Sequence, residues 1–115
     1  MKMINQPAKI TKSVSHDDAM VTELRENPEY AEIYLQTALE EIYEEGGVSA
    51  FLTALRRIVE SRGGIGEIAK KSGLSRQQLY RTLSENGNPT LTTLTEITRA
   101  AGIRLTPPVS SNQDR

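Results

Sequence analysis

Beyond Ser15 the apolar residues recur every three to four positions, the period of helices that bury one face. Asp17 or Asp18 is placed to cap a short first helix carrying Ala19, Met20 and Leu24. Asn27-Pro28 restarts the chain: Asn accepts from free N–H groups, and Pro at the first helical position gives up a donor that has no partner there. The second helix is expected to run to about Glu45, with Ala31, Tyr34, Leu35, Ala38, Leu39 and Ile42 as its apolar stripe and Gly46-Gly47 as its end. A third begins near Val48 or Ser49, buries Phe51, Leu52, Leu55, Ile58 and Val59, and turns Arg56, Arg57, Glu60 and Arg62 to water. Gly63-Gly64 breaks it. Three shorter helices are expected over about 66–72, 76–85 and 91–101, the last closed by Gly102. Ile103, Leu105 and Val109 are then expected to lie extended, since Pro107-Pro108 excludes further helix. There is no repeat and no strong strand pattern. The reading is an all-α protein of five or six helices: a flexible arm (1–16), acidic N-terminal helices (17–47), a C-terminal helical domain (48–106) and a flexible tail (107–115).

The most informative stretch is 65–83. A tight turn between packed helices needs a small residue where they touch, a glycine with positive φ, and an aliphatic residue returned to the contact. Ala69, Gly73 and Leu79 meet these needs, and Ile68, Leu74 and Leu83 complete the seam. The start of the second helix is specified twice. Ser75 and Gln78 form an S-x-x-Q capping box, and Leu74 and Leu79 occupy the two positions of a hydrophobic staple. An ordinary helical hairpin would satisfy the same spacing. The exposed set Arg76, Gln77, Tyr80 and Arg81 favours a helix-turn-helix, because long donors and an aromatic suit base edges and phosphates.

Charge changes the picture. The net value is −1, which alone argues against a nucleic-acid ligand. Residues 1–47, however, carry −6 and residues 48–115 carry +5, so two faces with different partners are expected; the plainer reading is two solvated surfaces. Cysteine is absent, which rules out disulfides and thiolate metal sites and fits a reducing, cytoplasmic setting. No segment has the ~18 uninterrupted apolar residues of a membrane span. Gly63-Gly64-Ile65-Gly66 lacks the Gly-Lys-Ser/Thr of a nucleotide loop and is a helix break. His16 is the only histidine and has no catalytic or metal-binding company, so neither enzyme activity nor a cofactor is expected.

The runs Phe51-Leu52-x-Ala54-Leu55, Arg62-Gly63-Gly64-Ile65, Ile68-Ala69-Lys70 and Gly73-Leu74-Ser75-Arg76-x2-Leu79-Tyr80-Arg81-x-Leu83-Ser84-x2-Gly87-Asn88-Pro89 resemble the addiction-module antidote family. So does the acidic lead-in Pro28-x-Tyr30-Ala31-x3-Leu35-x2-Ala38-Leu39-Glu40, whereas Gly46-Gly47 departs from the family's short acidic turn. The resemblance implies a lambda-repressor-like (Xre/Cro) helix-turn-helix bundle with an acidic N-terminal extension. It also implies a partner toxin of the RelE/ParE type and repression of the protein's own operon. Under it Arg76, Gln77 and Arg81 fall on the base-reading positions. Lys70, Lys71, Ser75 and Tyr80 are phosphate candidates, with Asn88 and Thr90 adding free N–H groups at the next helix. The plainer readings are solvation for the two lysines and partial burial for Tyr80. Glu40, Glu41, Glu44 and Glu45 are either a solvated face or a surface for the basic toxin. A homodimer is expected, because one recognition helix covers few base pairs. The rival functions are a stand-alone prophage-type repressor without a toxin, and a protein-interaction inhibitor that uses the helix-turn-helix as scaffold.

Overall fold

The computed structural model describes residues 12–105, with side chains from His16 onward. Most of the expected N-terminal arm, and Pro107, Pro108, Val109 and the polar tail, lie outside the described residues. Six helices and no strand occur among the described residues: α1 (Lys12–Glu26), α2 (Pro28–Glu40), α3 (Gly47–Ser61), α4 (Gly64–Ser72), α5 (Arg76–Thr82) and α6 (Leu91–Ala101). The all-helical class and the element count agree with the hydrophobic periodicity.

Helix α3 organises the molecule. It packs against α1 and α2 on one side and against α4 on the other, and α4 in turn carries α5 and α6. Its stripe of Phe51, Leu52, Leu55, Ile58 and Val59 is buried, and Leu24, Ala31 and Leu35 close over it from the N-terminal helices. Ile65, Ile68, Leu79, Leu83 and Ile97 continue the same cluster through the C-terminal half. Each such aliphatic side chain contributes roughly 1.5–3 kcal/mol by leaving water, so one unbroken aliphatic core holds both halves.

Three local expectations need correction. Helix α1 is already helical at Lys12, so neither Asp17 nor Asp18 caps it. Asp17 instead sits inside the helix and accepts from Arg56 Nη2 at 3.0 Å and Arg57 Nε at 2.7 Å on α3. Arg56, Arg57 and Glu60 therefore do more than face water: Arg56 also holds Glu60 at 2.9 Å, and Arg57 donates to the Tyr34 hydroxyl at 3.0 Å. Burial works against ionising Asp17, but the two guanidinium hydrogen bonds and their charge outweigh it and keep its pKa below the ordinary carboxylate value.

Helix α2 ends at Glu40, short of the expected Glu45. The reason is electrostatic and steric. Glu40, Glu41, Glu44 and Glu45 would crowd the negative end of the helix, which carries no basic residue in its last turn. Beyond it the backbone closes tight turns, with Glu44 N–H to Glu41 O at 3.0 Å and Gly47 N–H to Glu44 O at 2.8 Å. A Cβ on Gly47 would collide with the carbonyls of Glu41 and Ile42. Gly46-Gly47 thus shapes a compact turn ahead of α3 rather than ending a long helix.

The third correction shortens α5 to end at Thr82 instead of Glu85. Its last carbonyls are taken up by Leu83 N–H and by the Ser84 hydroxyl, which donates to Arg81 O at 2.9 Å.

Candidate nucleic-acid interface

The unit built from α4, a tight turn and α5 starts from backbone chemistry. Helix α4 ends at Gly73, whose φ of 82° lies in the left-handed region. Leu74 N–H then donates to Ala69 O at 3.1 Å, satisfying a terminal carbonyl. Ala69 is buried at the crossing, where a longer side chain would push the two helices apart. Ser75 is extended (φ −77°, ψ 161°), and the capping box is complete: Gln78 N–H donates to Ser75 Oγ at 3.0 Å, and Ser75 N–H donates to Gln78 Oε1 at 2.9 Å. Leu79 and Leu83 are fully buried and Leu74 packs on the same cluster. The turn, the cap and the core thus fix α5 on α4 from three independent sides.

With Leu79 and Leu83 turned inward, Arg76, Gln77, Gln78, Tyr80 and Arg81 are exposed. Gln78 is spent on the cap. Tyr80 is 55% exposed, so part of its ring is covered and the rest is open to a partner. Gln77 and Arg81 carry free donors on an outward face. Arg76 lies differently from expectation: a Cβ on Gly66 would stand 3.4–3.5 Å from its guanidinium, so the side chain rests over the α4 backbone. The sequence reading missed Gly66 as a partner of Arg76. The signal for it was a glycine inside a helix, which costs helix stability unless something approaches closely.

The candidate phosphate ligands divide. Lys70 and Lys71 are both exposed on α4, and Lys71 stands 3.7 Å from Glu67 one turn earlier. An exposed pair of that length holds Lys71 weakly. Ser75 uses its oxygen as acceptor in the cap and keeps its hydroxyl proton for an outside acceptor. Asn88 is exposed in the loop before α6. Thr90 is the N-cap of α6: its hydroxyl accepts from Thr93 N–H at 3.0 Å and contacts Thr93 Oγ1 at 3.0 Å. Glu40, Glu41, Glu44 and Glu45 are exposed on the α2–α3 connection and belong to no part of this face.

No group of His, Asp and Glu arranged to hold a metal ion occurs among the described residues, and no helix there is long and apolar enough to cross a membrane. No solved structure matches the chain. It is 36% identical over 70 residues to an uncharacterized protein of Haemophilus influenzae, an alignment that covers 61% of this chain and 71% of the relative. A family model described as probable addiction module antidote protein matches residues 17–108, which takes in all of α2 to α6 and most of α1. The chain therefore belongs to the probable addiction module antidote protein family.

Proposed function

We propose that this protein is a cytoplasmic antitoxin that represses its own operon through a lambda-repressor-like helix-turn-helix and neutralises a RelE/ParE-type toxin by direct binding. The observation that carries the DNA half is the capped, core-anchored seating of α5, with Gln77, Tyr80 and Arg81 all facing outward. A helix held in this way presents its side chains at one angle, so ordering them costs little on binding. Arg81 is assigned to guanine O6 and N7, and Gln77 to adenine N6 and N7. Arg76 takes the third base-reading role after swinging off Gly66. Lys70, Lys71, Ser75, Tyr80 and Asn88 position the protein on phosphates. Two copies on adjacent half-sites supply the specificity that one short helix lacks. The toxin half rests on the membership in an antidote family and on the acidic N-terminal half.

The test is direct. The duplex upstream of this gene and a random duplex are titrated at several salt concentrations, and the protein is co-expressed with the product of the neighbouring reading frame. Tighter binding to the upstream duplex together with rescue of growth supports the proposal. Operator binding without rescue favours a stand-alone repressor. Rescue with no DNA binding even at low salt favours an inhibitor that uses the α4–α5 unit as scaffold.

A further inference from the structure

Helices α2, from the acidic half, and α3, from the basic half, border an open groove of about 490 Å³. Its floor is small: Ala38 from α2, with Ala50, Thr53 and Ala54 from α3. Its wall is Tyr30 and Ile33, which α2 leaves 38% and 60% exposed. Ile33 does not belong to the buried stripe of α2, so the core does not explain it. Tyr30 is held by Tyr34, ring centroids 5.9 Å apart, and Tyr34 by Arg57. The wall is thus braced before anything binds.

Charge selects the occupant. Glu41 lines the groove, and Glu29 and Glu32 flank Ile33 on its outer side. The cations that touch this region are already engaged: Arg57 by Asp17 and Tyr34, Arg62 by the carbonyls of Ala101, Gly102 and Pro28. The rim carries Glu41, Glu29 and Glu32 against the single unneutralised charge of Arg62, so the trough is net negative and disfavours phosphate and a second copy of itself. It suits a helix with a small aliphatic stripe and flanking Lys or Arg. The groove lies within the residues matched by the family model, whereas the basic residues Lys2 and Lys9 of this chain lie outside that match. The other end of the described chain, at Leu105, lines a different groove.

We infer that the α2–α3 groove, walled by Tyr30 and Ile33, is the docking site for a basic amphipathic helix of the partner toxin. This rests on the antitoxin reading and places the contact in the groove, with Glu41 on its rim, rather than along the whole glutamate edge. An aromatic and an aliphatic anchor at the centre, ringed by charge, is the usual anatomy of a strong contact.

The probe is a synthetic helix of about 18 residues with a Leu stripe and Lys flanks, set against the same peptide with Lys replaced by Glu. Both are titrated into the full chain while the Ile33 methyl signal is followed by NMR. The basic peptide is expected to shift that signal and bind, the acidic one to do neither. Ile33→Asp, at an exposed position that leaves the core intact, is expected to weaken binding at least tenfold. Changing Glu29, Glu32 and Glu41 to Gln is expected to slow association, most at low salt. Equal binding to Ile33→Asp overturns the assignment. So does binding that appears only when Lys2 and Lys9 are changed to Gln, because the chain's own N-terminus is then the occupant. The neighbouring-frame protein separates the two layers. If it binds wild type and Ile33→Asp alike, the groove assignment fails and the antitoxin reading stands. If it binds neither, the antitoxin reading falls and takes this partner with it.

Discussion

Arg62 Nη1 donates to the main-chain carbonyl of Ala101 at 2.9 Å, and so joins the end of α3 to the end of α6. The same guanidinium reaches Gly102 O at 3.2 Å and, through Nη2, Pro28 O at 3.2 Å at the start of α2. One side chain therefore pins three segments that are far apart in sequence. A cation also belongs at the C-terminal end of α6, where unpaired carbonyls concentrate negative potential.

Arg62→Ala is expected to lower stability by about 1.5–3 kcal/mol, the range for hydrogen bonds from a charged donor. Arg62→Lys keeps the charge but loses the planar fork that serves three carbonyls, and should recover less than half of the loss. Urea midpoints for the three proteins decide it. Equal midpoints for Arg62→Ala and wild type would mean that the core alone fixes α6.

The Asp17 cluster predicts a pH dependence with a definite sign. Its folded pKa is lowered, so the unfolded chain binds the proton more tightly. The contribution is therefore present above the unfolded value of about 3.9 and disappears as pH falls through it and through the folded pKa. The three side chains are partly exposed, which limits the effect to about 1 kcal/mol or less. Asp17→Asn should be less stable than wild type at neutral pH, and the gap should have begun to narrow by about pH 3, below the unfolded value. A gap that stays constant down to that pH would show that shape, not charge, holds α1 on α3.

The capping box gives a prediction that separates stability from recognition. Ser75→Ala removes the acceptor for Gln78 N–H and should cost about 1 kcal/mol in thermal or urea unfolding. Gln78→Ala removes the reciprocal bond, and the double variant should lose less than the sum of the two, because the bonds form together. Operator affinity should fall in Gln78→Ala even where the protein is fully folded, since the entry angle of α5 is set there and Gln78 is assigned no DNA contact; Ser75→Ala also removes a proposed phosphate donor. Unchanged affinity in folded Ser75→Ala would show that the core, through Leu79 and Leu83, is enough to aim the helix.

How far the sequence carried this reading depended on whether neighbours in the chain or neighbours in space decided a feature. Ser75, Gln78, Gly73, Leu74 and Leu79 interact within a few positions of one another, and the α4–turn–α5 unit was legible down to its hydrogen bonds. The stripe of α3 was equally plain, because burial follows the helical period. An acid near a helix start usually caps it, but the partners of Asp17 are on α3, across a packing interface that no local rule reveals. Arg62 and Gly66 were missed for the same reason. The end of α2 was misplaced although the signal was present: four glutamates at the negative end of a helix oppose its continuation, and the Gly pair alone was given the weight. Ile33 is the converse, an apolar residue off the stripe whose meaning appears only once α3 is set beside it.

The DNA face supports a prediction in which two exposed residues on the packed helices α4 and α5 behave differently. Arg81 is exposed on α5, on the turn that carries Leu79 and Leu83 inward, and has no acidic partner among the described residues. If it reads a guanine, Arg81→Ala should cost about 1–3 kcal/mol on the operator, far less on random duplex, and relax the preference at one base pair. Lys71 is on α4 and is held only by a long, exposed pair with Glu67. If it meets a phosphate, Lys71→Ala should weaken both duplexes alike and lower the slope of log K against log salt by about one. Glu67→Gln then acts in the opposite direction. Freed of its carboxylate, Lys71 should bind both duplexes slightly better at low salt, and the gain should fade as salt screens the Glu67 charge in wild type. All three variants keep the core, so circular dichroism should be unchanged and binding isotherms carry the comparison. Equal losses for Arg81→Ala on operator and random duplex would move Arg81 to the phosphate set and leave Gln77 and Arg76 to read the bases.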